Sequence, residues 1–354
     1  MFENNYLSID LGREYTKLVY GSYKNNMIKI MKIGKFKTPF NSYKEGRLTN
    51  IGLVRGAINR VLDEWHLRGR IKTIITMDSS EIITREVELP YAKDIDLNAM
   101  VSFELQEYLP INIEDYVVQA KILEQFEEEG LKKLRTVAAM MPKSMVEELY
   151  NFLNSVGLEP YVLDIHSNAI SKYLSHILLS GDNMLNKYNT FAVVDLGAEH
   201  TNVCVIENKM IRLNKLIEVG GSAINDMIAS TFGLDQEQAE EKKTQAIHLF
   251  QEEGEVDATA LLNDMTKSTV NGIIDQVQLV LKYYSSREQN KQIDAILLFG
   301  GGANLKGLSQ YIESAFNLPT YVLGKHTNLQ FLDKNYEAED LKYYLNCFGA
   351  LIRR

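Results

Sequence analysis

The sequence predicts an α/β chain built from two related halves, with a smaller α+β segment inserted into the first. Three observations lead there. Short β-rich runs alternate with helical stretches along the 354 residues, the pattern of mixed layers rather than of an all-α or all-β chain. A heptapeptide, Asp10-Leu11-Gly12-Arg13-Glu14-Tyr15-Thr16, returns as Asp195-Leu196-Gly197-Ala198-Glu199-His200-Thr201, with five of seven residues identical. Each copy lies between two apolar runs, so each reads as a strand-turn-strand hairpin. The offset from Asp10 to Asp195, 185 residues, is too long for a solenoid and fits two domains that open alike. Between the copies, Thr84 to Tyr161 has its own strand-helix rhythm, which marks the insertion.

Taken in order, Tyr6 to Asp10 and Lys17 to Tyr23 read as strands around a tight turn, and Met27 to Ile33 as a third strand. A helix is expected from about Gly52 to Trp65, then a strand from Ile71 to Met77, apolar enough to lie centrally in a sheet. The next stretch reads strand (Glu81–Leu89), helix (Asp94–Tyr108) and strand (Tyr116–Glu124). It continues with a strand (Lys132–Met140), a helix (Lys143–Val156) and a strand (Tyr161–Ile165). Alternation from Tyr116 to Ile122 suits a sheet with one wet face, and Glu127 to Gly130 reads as a solvated hairpin turn. Beyond the second hairpin the chain turns helical and polar from Gly220-Gly221 to about Asn271, and a long helix follows from Val270 to Ser285. The strand Ala295 to Phe299 then runs through Gly300-Gly301-Gly302-Ala303-Asn304 into a helix expected from Leu305 to Phe316.

Composition narrows the function. Apolar residues at 45% and charged residues at 24% suit a soluble globular chain, and exclude a fibrous or wholly disordered one. A net charge of −9 is no general footprint for nucleic acid. Cys204 and Cys347 make neither a disulfide framework nor a zinc cluster, so a reducing cytoplasm is expected. The start from Met1 lacks a signal peptide, and no apolar run approaches the roughly 20 residues of a membrane helix. Membrane contact is therefore expected only through a partner. There is no P-loop, no His-Glu-x-x-His and no Gly-x-Ser-x-Gly. His166 and His176, ten residues apart, read as helix-surface or core residues.

Glycine lets each Asp-Leu-Gly turn approach an anion closely, and consecutive N–H groups can form a nest for phosphate oxygens. An aspartate beside such a nest repels phosphate unless Mg²⁺, often through its waters, lies between them. Ordinary hairpins would use the same turn residues. Two copies together with a glycine-rich third loop favour a single nucleotide site.

With these residues in view, Ile9-Asp10-Leu11-Gly12 with Lys17-Leu18-Val19 resembles the first phosphate motif of the actin-like ATPase superfamily. Val194 to Asn202 resembles its second phosphate motif, and Leu298 to Leu308 its adenosine motif. Within that superfamily the chain resembles, over nearly its whole length, the PilM family of type IV pilus assembly proteins, in the FtsA/PilM group. Glu107 to Ile111, Gly157 to Ile165 and Ala239 to Lys243 carry this closer likeness.

The resemblance implies an actin-like fold of two ribonuclease H-like lobes with an inserted α+β subdomain. The first lobe would comprise residues 1–83, 162–190 and 331–354, and the insertion residues 84–161. The second lobe would comprise 191–221 and 273–330, with a small helical subdomain at 222–272. It implies ATP and Mg²⁺ as ligands. Asp10 and Asp195 would face the metal, Gly12 and Gly197 the phosphates with Arg13 and Thr201 beside them, and Lys17 the β/γ-phosphates. Glu240 and Lys243 would sit by ribose and base, with Gly300, Gly301 and Gly302 under the adenosine.

The implied partner is the short cytoplasmic tail of a PilN-like membrane protein, with the pilus motor ATPases as further candidates. Glu104, Tyr108, Leu109 and Pro110 would line its groove. Two residues depart from the family pattern: Arg13 replaces a small turn residue, and His166 stands near where relatives place a water-orienting Glu or Gln. Both bear on hydrolysis more than on binding, and His166 is the one catalytic candidate. The expected function is a cytoplasmic ATP-binding scaffold of pilus assembly with slow or absent hydrolysis. The alternative is an FtsA-like filament-forming ATPase, which usually ends in a spacer and a basic amphipathic helix. The run Leu345 to Arg354 has neither. A sugar or acid kinase would need an Asp base aimed at a hydroxyl, and none stands out.

Overall fold

The structure, a computed structural model, describes residues 5–92, 96–178, 184–249, 258–287, 291–324, 328–332 and 338–353. Its strands are β1 (Tyr6–Asp10), β2 (Tyr15–Lys24), β3 (Met27–Lys37), β4 (Tyr43–Lys44), β5 (Arg47–Leu48), β6 (Lys72–Met77), β7 (Ile83–Pro90) and β8 (Tyr116–Glu128). They continue as β9 (Leu131–Pro142), β10 (Glu159–Ile165), β11 (Thr190–Leu196), β12 (Thr201–Glu207), β13 (Met210–Ile217), β14 (Ala295–Phe299), β15 (Thr320–Val322) and β16 (Leu329–Phe331). The helices are α1 (Ile51–Glu64), α2 (Leu97–Tyr108), α3 (Lys143–Val156), α4 (His166–Ile177), α5 (Gly221–Phe232), α6 (Gln236–Ala246), α7 (Ala258–Arg287), α8 (Leu308–Phe316) and α9 (Leu345–Leu351).

The chain divides into two compact units. The first comprises Met1–Thr38, Thr73–Met77 and Asp164–Arg354, and the second Pro39–Lys72 and Asp78–Leu163. The segment 84–161 lies wholly within the second unit.

The first unit holds two sheets that share a plan. One contains the order β6-β1-β2-β3-β16, the other β13-β12-β11-β14-β15. Strand for strand, β3-β2-β1-β6 repeats as β13-β12-β11-β14. The registers agree as well: Asp10 pairs with Lys17 across β1 and β2, and Asp195 with Asn202 across β11 and β12. The parallel neighbour of Asp10 is Thr76 on β6, and that of Asp195 is Phe299 on β14. β1 and β14 are buried along their whole length, as central strands covered on both faces must be.

Behind the second sheet α5, α7 and α8 close one core, to which α7 gives Leu262, Val270, Ile273, Val277 and Leu281 at helical spacing. The expected long helix is longer than read. α7 spans 30 residues and passes unbroken through 272 and 273, where a subdomain boundary was expected. α9 is buried at all seven positions and crosses α4 so closely that a Cβ at Gly349 would lie 1.9 Å from the Ala169 carbonyl oxygen. Tyr173 and Phe348 pack at a tilt beside that crossing, ring centres 6.0 Å apart.

In the second unit the antiparallel sheet β7-β9-β8 carries α2, whose Val101 and Leu105 meet Val87, Leu89, Leu134 and Met140. β8 is an edge strand without one fully buried residue, which is why its alternation is shallow. It runs to Glu128, so the hairpin turn narrows to Glu129 and Gly130, both at positive φ. The third glycine loop also departs from expectation: Gly301–Asn304 form a 3₁₀ turn, and the α-helix starts only at Leu308.

Candidate functional site

Both hairpins place an aspartate at or one residue before the end of their first strand and turn on a glycine that admits no side chain. A Cβ on Gly12 would stand 2.8 Å from the Tyr15 carbonyl oxygen, and one on Gly197 equally 2.8 Å from that of His200. The first turn is tied down by Thr38, whose hydroxyl donates to the Gly12 carbonyl at 2.7 Å and lies 2.9 Å from that of Thr16. The second is tied to the start of α5, where Gly221 and Ser222 donate their backbone N–H groups to the Gly197 and Ala198 carbonyls. Thr201, expected beside phosphate, is fully buried and donates its hydroxyl to the Val219 carbonyl at 2.8 Å, holding that loop.

The two aspartates meet through His166, the first residue of α4. Its Nε2 lies 3.0 Å from Asp10 Oδ1, and its Nδ1 lies 3.9 Å from Asp195 Oδ2. His166, read both as a surface or core residue and, by resemblance, as the catalytic candidate, thus bridges the two halves. Lys17 donates to Asp10 Oδ2 at 3.1 Å, so both Asp10 oxygens are engaged. Arg13 approaches Glu199 at 3.5 Å and links one hairpin turn to the other.

Electrostatics divides the aspartates. Burial alone would raise the Asp10 carboxyl, but the charges and hydrogen bonds of Lys17 and His166 outweigh it and hold the group at about 2. Asp195 moves the other way, because burial outweighs what His166, Asn346 and Lys17 return, and Asp10 adds repulsion. For Lys17, burial opposes the charge and the pull of Asp10 and Asp195 exceeds it, so its ammonium is held above its ordinary value.

The glycine loop after β14 closes on the same point. Gly300 has φ +83°, and a Cβ there would lie 2.3 Å from Asp195 Oδ1 and 2.8 Å from the Leu196 carbonyl oxygen. A Cβ on Gly302 would meet that of Leu196 at 2.8 Å, while Gly301 faces Tyr343 at 3.7 Å. Asn304 donates its amide to the Tyr343 hydroxyl. On α6, Lys243 donates to Glu240 at 2.5 Å, and Asn225 of α5 donates to the same carboxylate oxygen at 2.7 Å. Lys243 Nζ lies 3.7 Å from where a Gly221 Cβ would stand, which brings this pair to the loop that rests on the second hairpin. Asp10, Gly12, Lys17, His166, Asp195, Gly197 and Gly300 therefore surround one place.

Glu104, Tyr108, Leu109 and Pro110 lie in the second unit. Tyr108 donates its hydroxyl to Glu104 one helical turn away at 2.8 Å, Leu109 is half-buried, and Pro110 is exposed. Phe103 and Tyr108 leave 68% and 69% of their surfaces open, unusual for aromatic residues of a folded helix.

Two participants escaped the sequence reading. Glu199 was visible within the repeat, identical to Glu14 of the first copy. Asn346, which donates its amide to Asp195 Oδ2 at 3.0 Å, lies 151 residues further along the chain. Its one sequence signal is to be a strongly polar side chain within the apolar run Leu345 to Leu351.

Two duplicated α/β halves, each bringing a strand-end aspartate and a glycine turn to one point, define the actin-like class of ATPase folds. The family model "Type IV pilus assembly protein PilM" matches residues 8–352, and the chain belongs to that family. A solved PilM-PilN type IV pilus biogenesis complex superposes with TM-score 0.81 at 20% identity, covering 98% of this chain and 97% of that one. MreB 5 of Spiroplasma citri bound to AMPPNP gives TM-score 0.58 at 12% identity, covering 99% and 95%. The cell division protein FtsA of Streptococcus pneumoniae is 20% identical over 89% of this chain and 74% of its own length.

Proposed function

We propose that the chain is an ATP-binding, actin-like scaffold of type IV pilus assembly, working in the cytoplasm and brought to the inner membrane by the tail of a PilN-like protein. The observation that carries the nucleotide part is the convergence of the two hairpin aspartates, joined through His166, with the Gly300 loop packed against Asp195. Gly12 and Gly197 would take the phosphates with Arg13 and Lys17, and Gly301, Gly302, Glu240 and Lys243 the adenosine. Asp10 and Asp195 are hard oxygen donors of the kind Mg²⁺ takes through its waters. A bound Mg²⁺ would supply the positive charge that lets phosphates lie between two carboxylates. His166 contacts both aspartates, so we assign it to orienting the carboxylates rather than a water, which fits slow turnover. The four-part actin-like division given above belongs to the same proposal.

Calorimetry on the full chain tests the nucleotide part. Wild type is expected to bind Mg·ATP, and Asp195→Ala to lose binding while melting within a few degrees of wild type. The fold survives because a carboxylate penalised by burial is removed. No binding by wild type with Mg²⁺ present would end this reading.

The partner part rests on the family and on the neighbour solved as a PilM-PilN complex. Among the described residues no helix is long and apolar enough to cross a membrane. Tyr108, largely exposed, offers an aromatic side chain that an extended peptide can anchor on. A fluorescent peptide with the N-terminal sequence of a PilN-like protein should bind, and Tyr108→Ala should weaken it about tenfold or more, the loss of one buried aromatic anchor. Equal binding by the variant would remove this residue from the groove.

A further inference from the structure

Asn346 has a second hydrogen-bonding atom without a visible use. Its Nδ2 donates to Asp195, but its Oδ1 is buried and receives no hydrogen bond from any described residue. The side chain as a whole is only 4% exposed. A buried carbonyl oxygen left without a donor is costly and uncommon in native folds. The planar carboxamide puts Oδ1 beside the nitrogen that touches Asp195, so this acceptor belongs to the same site. The hydrogen bond of Nδ2 to Asp195 orients the carboxamide, and α9 itself packs tightly on α4 where Gly349 meets the Ala169 carbonyl.

The two halves also treat their aspartates differently. Asp10 is matched by the ammonium of Lys17 in the paired position of its hairpin, whereas the corresponding position beside Asp195 is Asn202. The direct donor to Asp195 is the neutral amide of Asn346, which fixes the carboxylate without cancelling its charge. A fixed carboxylate whose direct amide donor is neutral, next to a buried, unused amide oxygen, is a donor set for a hard, hydrated cation.

We infer that Asn346 is a positioning residue of the cation site: its Nδ2 sets Asp195, and its Oδ1 receives a hydrogen bond from a water of the divalent cation bound there. This rests on the Mg·ATP reading, and deepens it by adding a residue from α9 to the two strand-end aspartates.

The test uses the full chain with Asn346→Leu and Asn346→Asp. Asn346→Leu should weaken Mg·ATP about ten- to a hundredfold, the usual loss when a supporting partner of a metal ligand is removed. ATP measured with a chelator in place of Mg²⁺ should bind this variant as it binds wild type. Asn346→Asp places a second carboxylate against Asp195, so Mg²⁺ alone, without nucleotide, should raise its melting temperature several degrees more than that of wild type. A purely structural asparagine predicts otherwise: equal losses with and without Mg²⁺ in Asn346→Leu, and no extra response to Mg²⁺ in Asn346→Asp. Those results would overturn the inference. Failure of wild type to bind Mg·ATP would instead strike the nucleotide reading, while the Mg²⁺ melts of Asn346→Asp still judge this one. If Asn346→Leu does not fold, those melts decide alone.

Discussion

Gly349→Ala is expected to destabilise the chain by about 3 kcal/mol or more, at the upper end of overpacking costs. The methyl would lie 1.9 Å from the Ala169 carbonyl oxygen and 2.5 Å from its carbon, both backbone atoms of α4 that no rotamer change can move. α4 and α9 would have to separate, and with them His166 and Asn346, so nucleotide affinity should fall in the same variant. Urea denaturation of the two proteins measures the first effect. Gly272→Ala in α7 is the control, since a Cβ there meets nothing within 4 Å. Alanine at that site should leave stability equal or raise it by up to about 1 kcal/mol, the helix-propensity difference. Equal midpoints for Gly349→Ala and wild type would mean that the helix crossing yields where it is described as tight.

Lys17→Met is expected to cost about 3 kcal/mol at pH 7, near the low end for breaking a buried ion pair, because His166 still faces Asp10. The pH dependence gives the sharper check. In wild type the Asp10 carboxyl is held at about 2, below its ordinary value. Its stabilisation is therefore complete above the ordinary carboxylate range and is lost as pH falls toward 2. Without Lys17, burial pushes the same carboxyl upward. Its folded value then rises relative to wild type, and the penalty shrinks as acid protonates it. Protonation of the unfolded chain is common to both proteins, so it is the higher folded value in the variant that narrows the gap as pH drops from 7 toward 4. A gap that stays constant or widens in urea titrations across that range would show that Asp10 is not the group Lys17 serves.

Much of the fold was legible because its signals are local. A strand-end aspartate followed by Leu-Gly needs only its own hairpin, so both copies could be read from seven residues each, and the helix Lys143–Val156 was bounded correctly. What could not be read locally is where chain-distant side chains meet. By its own residues His166 looks like any polar residue at the start of a helix; the resemblance brought it near the site, and its contact with Asp10 is made by the fold. Asn346 sits in a seven-residue helix with no cap or amphipathic stripe to announce it. The glycine loop misled for another reason: Gly300 takes its left-handed backbone because Asp195 and Leu196 fill the space of its side chain, a tertiary demand that a run of glycines does not specify.

The shared strand order and register of the two hairpins raise a question of direction for anything elongated that bridges them. Two identical, symmetrically placed turns would offer an unsymmetrical guest two equivalent poses, with half the population each. One difference at equivalent positions, Lys17 against Asn202, removes that degeneracy. A cation on one side and a neutral amide on the other would give the cradle of the proposed nucleotide site a head and a tail. Exchanging the two residues between the halves would reverse that direction without changing the net charge.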